Sequence, residues 1–126
     1  MVTKKTKQET KKEVKQEGAG EGWLKPPKKT CTDVKCPFHG TLRVHGRMFV
    51  GKVIKPIFHK TATIEFQRQL YLKKYERYEK RRSKIKAHVP PCLDVVQNSM
   101  IRIAETRPMS KTKNFVAIEV INNESN

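Results

Sequence analysis

The sequence predicts an all-β fold, a small antiparallel sandwich or barrel, and three observations predict it. Short segments rich in β-branched and aromatic residues alternate apolar with polar positions. Turn-forming Gly, Pro and Asn residues separate them. Outside one ambiguous stretch, no run carries the apolar stripe of a long amphipathic helix, and short strands linked by turns close into sandwiches or barrels.

The first strand is expected over residues 47–54, with Phe49 and Val53 on one side and Met48, Val50 and Ile54 on the other. Gly51 within it marks a bend or a close backbone approach. Residues 56–60 form a turn, and residues 61–72 alternate again, with Ile64, Phe66, Leu70 and Leu72 on one face and Arg68 as the single break in that row. Residues 71–88 are ambiguous. Tyr71, Tyr75 and Tyr78 stand at i, i+4 and i+7, so periodicity alone favours a helix, while the composition also suits an extended ribbon. Residues 100–104 and 115–121 read as two further strands, the second with Val116, Ile118 and Val120 on one face. A five-stranded oligonucleotide-binding barrel is the natural candidate for a chain this basic. Its missing strand can come from residues 83–88, which would form a long hairpin with the strand ending near Leu72.

Charge sets the partner. The chain has 126 residues, with 28 Lys+Arg against 12 Asp+Glu and a formal net charge of +16. A protein so cationic repels itself and seeks a polyanion, with nucleic acid as the leading partner. A membrane-surface role would need an apolar anchoring face beside the lysines, and the N-terminal region offers only Val2, Val14 and Trp23. No stretch free of Asp, Glu, Lys and Arg exceeds seven residues, against the roughly 20 apolar residues of a membrane span. The lysine-rich start is followed by no apolar signal segment. Residues 1–30, with nine lysines, four glutamates and a Gly-rich stretch before Pro26-Pro27, read as a disordered basic tail. Residues 31–126 read as the folded domain.

The densest charge lies at residues 68–88. Arg68, Lys73, Lys74, Arg77, Lys80, Arg81, Arg82, Lys84 and Lys86 stand there against Glu76 and Glu79, a net +7. Such residues neutralise phosphates, and the interleaved tyrosines can stack on bases or cover sugars. A second basic element, residues 105–114, contains Arg107-Pro108 and Ser110-Lys111-Thr112-Lys113, whose backbone N–H groups and hydroxyls suit phosphate oxygens.

Catalytic patterns are missing. His45, His59 and His88 stand at no telling spacing from Ser or Asp, paired carboxylates are lacking, and Gly46 and Gly51 match no phosphate-binding loop. Three cysteines, an odd count without an export signal, argue against a disulfide framework and for a reducing intracellular compartment. Cys31, Cys36 and His39, with Cys92 far along the chain, are the only metal-ligand candidates. Because no second Cys-x2-Cys pair completes a tetrahedron, the spacing favours buried structural cysteines over zinc. A zinc-dependent enzyme or module is the corresponding rival reading, and no cofactor or small-molecule substrate is expected.

Four pieces taken together carry a family resemblance: Cys36-Pro37-Phe38-His39-Gly40, Lys73-Lys74-Tyr75-Glu76-Arg77-Tyr78-Glu79, His88-Val89-Pro90-Pro91-Cys92, and the run from Ala104 through Glu105-Thr106-Arg107-Pro108-Met109-Ser110-Lys111-Thr112 to Lys113. Over residues 31–121 the chain closely resembles the archaeal and eukaryotic form of the seventeenth small-subunit ribosomal protein family, and His39 matches the archaeal version. The resemblance implies an oligonucleotide-binding barrel with an extended basic hairpin arm, which overrides the helical reading of residues 71–88. It also implies a non-enzymatic, cytoplasmic constituent of the small ribosomal subunit. Such a protein binds the 5′ region of small-subunit ribosomal RNA early in assembly and lies beside other ribosomal proteins. Residues expected to contact RNA are Arg47, Lys52, Lys60, Lys73, Lys74, Arg77, Arg81, Arg82, Lys84, Lys86, His88, Arg107, Ser110, Lys111, Thr112 and Lys113. The family's usual Gly-Asp turn is replaced by Val96-Gln97-Asn98-Ser99, where Asn98 can still take a left-handed conformation. A free-standing single-stranded nucleic-acid binder on the same barrel is the alternative, with Phe49, Phe66 or Tyr71 stacking bases.

Overall fold

The computed structural model describes residues 24–55 and 57–121. Residues 1–23 of the expected tail at 1–30, Pro56 of the expected turn and residues 122–126 of the expected domain lie outside the described residues, while Lys29 within the tail pairs with Asp94. Five strands follow one another: β1 Val44–Val53, β2 Thr61–Leu72, β3 Arg77–His88, β4 Met100–Thr106 and β5 Lys113–Ile121. No helix occurs among the described residues. The strands close into a barrel in the order β1-β2-β3-β5-β4, with β4 returning to β1. All pairs are antiparallel except β3 with β5. This is the expected barrel of oligonucleotide-binding type.

The interior is filled by alternate residues of every strand: Val53, Ala62, Ile64, Ala87, Ile101, Ile103 and Ala117, with Val89 beyond β3. Phe49 and Phe66 extend this core at one end, their rings stacked 4.8 Å apart. Gly51 is where β1 passes closest to β2. A Cβ there would lie 2.6 Å from Ile64 Cγ2 and 2.7 Å from the Glu65 carbonyl oxygen, so only glycine fits.

Residues 71–88 form strand, turn and strand, as the resemblance implies and local periodicity does not. β2 and β3 pair without interruption from Thr61↔His88 to Leu72↔Arg77. β1 reaches β2 only at Lys52↔Glu65 and Val53↔Ile64, and β5 meets β3 only from Lys86 to His88. From Phe66↔Ser83 outward the ribbon therefore has no third strand among the described residues and projects roughly 24 Å from the barrel, at about 3.4 Å per residue. Its tip is the loop Lys73-Lys74-Tyr75-Glu76, closed by a Tyr75 N–H to Leu72 carbonyl bond of 3.3 Å and by Glu76 at φ 48°. Asn98 takes the left-handed conformation expected of it, φ 70°, in the turn leading to β4.

Candidate nucleic-acid interface

Directly opposed residues of an antiparallel pair share a face, so the register sorts the arm's side chains. One face carries Thr63, Glu65, Gln67, Gln69 and Tyr71 from β2 with Tyr78, Lys80, Arg82, Lys84 and Lys86 from β3, and Glu65, opposite Lys84, is the one carboxylate on it. Four cations thus stand at every second residue of one strand, in a row with a repeat of about 7 Å. The opposite face continues the core outward through Ile64, Ile85 and Phe66, then meets Arg68 directly opposite Arg81. Like charges placed so cost stability, and among the described residues Arg81 is offset only by Glu79, its Nε 3.0 Å from the carboxylate.

At the tip, Tyr71 and Tyr78 pair across the strands with ring centroids 5.1 Å apart, and Lys74 Nζ lies 5.4 Å from the Tyr75 ring centroid. Tyr75 and Tyr78 are 62% and 68% exposed, apolar surface that a lone globular domain has no reason to leave in water. Lys73, Lys74, Arg77, Lys80, Lys84 and Lys86 have no ion-pair partner among the described residues.

The second basic element stands beside the root of the first, because the parallel β3–β5 register puts Lys113 next to Lys86. The loop of residues 107–112 is held at its base by the buried Thr106, whose hydroxyl lies 3.2 Å from the Arg107 carbonyl and 3.3 Å from that of Asn114. Within it, Met109 N–H donates to the Lys113 carbonyl and Lys113 N–H to Ser110 Oγ. Arg107, Ser110, Lys111 and Thr112 are left exposed, with Lys113 half-buried. Arg107 also lines a shallow cleft with Arg43 and His45.

The remaining expected contacts are mixed. Lys52 is exposed without an ion-pair partner among the described residues, whereas Arg47, Lys60 and Arg82 approach Glu105, Asp33 and Glu65 at 3.3, 3.5 and 3.7 Å. The N–H and then the guanidinium of Arg47 hold the Glu105 carboxyl below its ordinary range. His88 is a correction. It is 3% exposed, covered by the loop that carries Asp33, and its Nε2 sits 2.8 Å from Asp33 Oδ2. A side chain so enclosed supports the barrel wall and presents no free surface to a partner. Local sequence reasoning also passed over Arg43 and left Lys80 out of the contact set, although period-2 alternation puts Lys80 in line with Arg82, Lys84 and Lys86.

Cys31, Cys36 and His39 come together, and the fold brings Cys92, the candidate far along the chain, to them.

The model of the family described as ribosomal protein S17 matches residues 51–119, from Gly51 of β1 into β5. Small ribosomal subunit protein uS17 of Methanopyrus kandleri is 51% identical over 98 residues, covering 78% of this chain and 83% of that relative. This chain belongs to the ribosomal protein S17 family. Other members are similarly close: uS17 of Archaeoglobus fulgidus is 50% identical over 103 residues (82% of this chain, 92% of that protein). The Sulfurisphaera tokodaii protein is 48% identical over 95 residues (75% and 84%). The arm, the Thr106-anchored loop and the barrel strands Thr61–Leu72 to Met100–Thr106 all lie within the S17 family match, and the Cys31–His39 loop precedes it.

Proposed function

We propose that this protein is a structural constituent of the small ribosomal subunit that binds the 5′ region of the subunit's RNA and helps it fold during assembly. The observation that carries the reading is the one-sided row Lys80, Arg82, Lys84 and Lys86 on a ribbon that leaves the barrel, with Arg68 set against Arg81 on the reverse. Both faces of the arm carry positive charge that folding alone would avoid and that phosphates relieve.

The barrel acts as a rigid base for two projections. The arm reaches between RNA helices while residues 107–113 grip backbone beside its root, and exposed tyrosines cover sugar or base faces at the tip. Recognition is by shape and phosphate position, and no bond is made or broken. Site residues are those expected from sequence without His88 and with Arg43, Arg68 and Lys80 added. Family membership supports neighbouring ribosomal proteins as further partners and, in our reading, a place in the cytoplasmic small subunit. A free-standing single-strand binder is disfavoured, since Phe49 and Phe66 stack on each other and are half-buried.

Sedimentation tests the reading. The tagged chain is expected to travel with small subunits through a sucrose gradient at moderate salt. Its recovery only in ribosome-free fractions would overturn the proposal.

A further inference from the structure

Two loops that flank the barrel meet at one point. Cys31, Cys36 and His39 lie in the loop before β1, and Cys92 lies just after β3. Their ligand atoms are all within 4.8 Å of one another. Cys36 Sγ is 3.6 Å from Cys92 Sγ, and His39 Nδ1 is 3.3 Å from Cys31 Sγ and 3.5 Å from Cys36 Sγ. A tetrahedral zinc ion, with bonds of about 2.3 Å to sulfur and about 2.0 Å to nitrogen, sets its ligands about 3.8 Å apart (S to S) and about 3.5 Å apart (S to N). The three shortest separations agree within a few tenths of an ångström, and the 4.8 Å span of the set lets small side-chain shifts complete the tetrahedron. They do not fit a disulfide, whose sulfurs lie about 2.05 Å apart, and all three cysteines are free.

The first loop is shaped to present its groups. Gly40 N–H donates to the Cys36 carbonyl at 3.0 Å and Cys36 N–H to the Asp33 carbonyl at 3.1 Å, winding residues 33–40 into a knuckle. Gly40 is required there, because a Cβ would strike the Val34 carbonyl. Cys36 and Cys92 are 0% and 4% exposed, so the cluster is shielded on one side by the barrel.

We propose that Cys31, Cys36, His39 and Cys92 form a structural zinc site that ties the loop before β1 to the segment after β3. On binding, three thiols lose their protons to water and become thiolates, while His39 donates its Nδ1 lone pair and keeps its proton on Nε2. Protein groups fill all four positions, leaving none for a water or substrate, so the site is structural and not catalytic. It joins segments more than fifty residues apart in a small domain whose core is modest, which is where a metal clip stabilises most.

The test uses the full chain, expressed with zinc in the medium and purified in reductant without chelator. About one equivalent of zinc per chain is expected. Cobalt(II) loaded in its place should give the intense visible bands and sulfur-to-metal charge transfer of a tetrahedral thiolate site, and added zinc should abolish them. Cys92→Ser and His39→Ala should each weaken cobalt binding at least about tenfold. Because a variant that failed to fold would also lose metal, the wild-type cobalt spectrum decides. A weak octahedral spectrum without charge transfer overturns the proposal. So does native protein holding less than about a tenth of an equivalent of zinc while all three thiols react freely with an alkylating reagent.

Discussion

The imidazole of His88 donates from Nε2 to the carboxylate of Asp33 across 2.8 Å, and its other nitrogen, Nδ1, is buried with no hydrogen-bond partner among the described residues. A carboxylate only accepts, so the proton sits on Nε2. A second proton on Nδ1 would be buried without an acceptor, and burial holds His88 below the ordinary histidine range against the opposing pull of Asp33. Burial would raise Asp33, but the bonds from His88 and the Lys35 N–H outweigh it and keep that carboxyl low. The pair pins the loop of residues 31–42 onto the end of β3.

Acid should therefore loosen the fold in two steps. Below the ordinary histidine value of 6.5 the unfolded chain binds a proton that folded His88 refuses, so stability falls as pH drops. A second loss follows as pH falls below 3.8 through the native titration of Asp33. Urea midpoints between about pH 7.5 and pH 5 should decline for the wild type. His88→Ala should flatten that decline and cost about 2–3 kcal/mol by stranding a part-buried carboxylate. A pH-independent wild-type midpoint would contradict the assigned protonation.

Gly51→Ala should destabilise the barrel by about 2–4 kcal/mol, because the added methyl meets the Glu65 carbonyl, a backbone atom that cannot swing aside, as well as Ile64. The check is a lower urea midpoint at unchanged m-value.

Asn98 holds φ 70° with a side chain where glycine would be unstrained. Asn98→Gly is expected to stabilise by up to about 0.5–1 kcal/mol and Asn98→Val to destabilise by about 1–2 kcal/mol. Thermal melts of the two variants should move in opposite directions.

Arg68→Gln separates stability from function. Removing the like charge opposite Arg81 should raise the stability of the free protein by a few tenths of a kcal/mol. It should also weaken RNA binding at low salt, since one phosphate partner is lost. Denaturation and filter binding on the same sample check both signs.

The strand around Ile64 was legible because buried Ala62 and Ile64 alternate with more exposed neighbours, whereas β5 was legible from its β-branched run although it buries Val116, Ala117 and Ile118 in succession. The arm misleads local reading for a geometric reason. Tyr71, Tyr75 and Tyr78 have helical spacing, yet Tyr71 and Tyr78 face each other across two strands while Tyr75 sits at the tip between them. Family resemblance settled what periodicity did not. The exposed cations of the arm were also legible, whereas the burial of His88 was not, because the Asp33 that covers it is 55 residues away in sequence. For the same reason, Cys92 could be named as a candidate beside Cys31 and Cys36 but not placed there, since only the fold brings it within 3.6 Å of Cys36. The adjacency of Lys86 and Lys113 likewise depends on the parallel β3–β5 pairing.

The most direct measurement of the arm's role is the salt dependence of binding between the full chain and a transcript of the 5′ region of small-subunit RNA. Wild-type protein should show a steep fall of log affinity with log salt, about 0.7 per phosphate neutralised. Replacing Lys73, Lys74, Arg81 and Arg82 together with alanine should weaken binding and reduce that slope by up to about 3. Unchanged slope and unchanged affinity would mean that the arm does not touch the RNA.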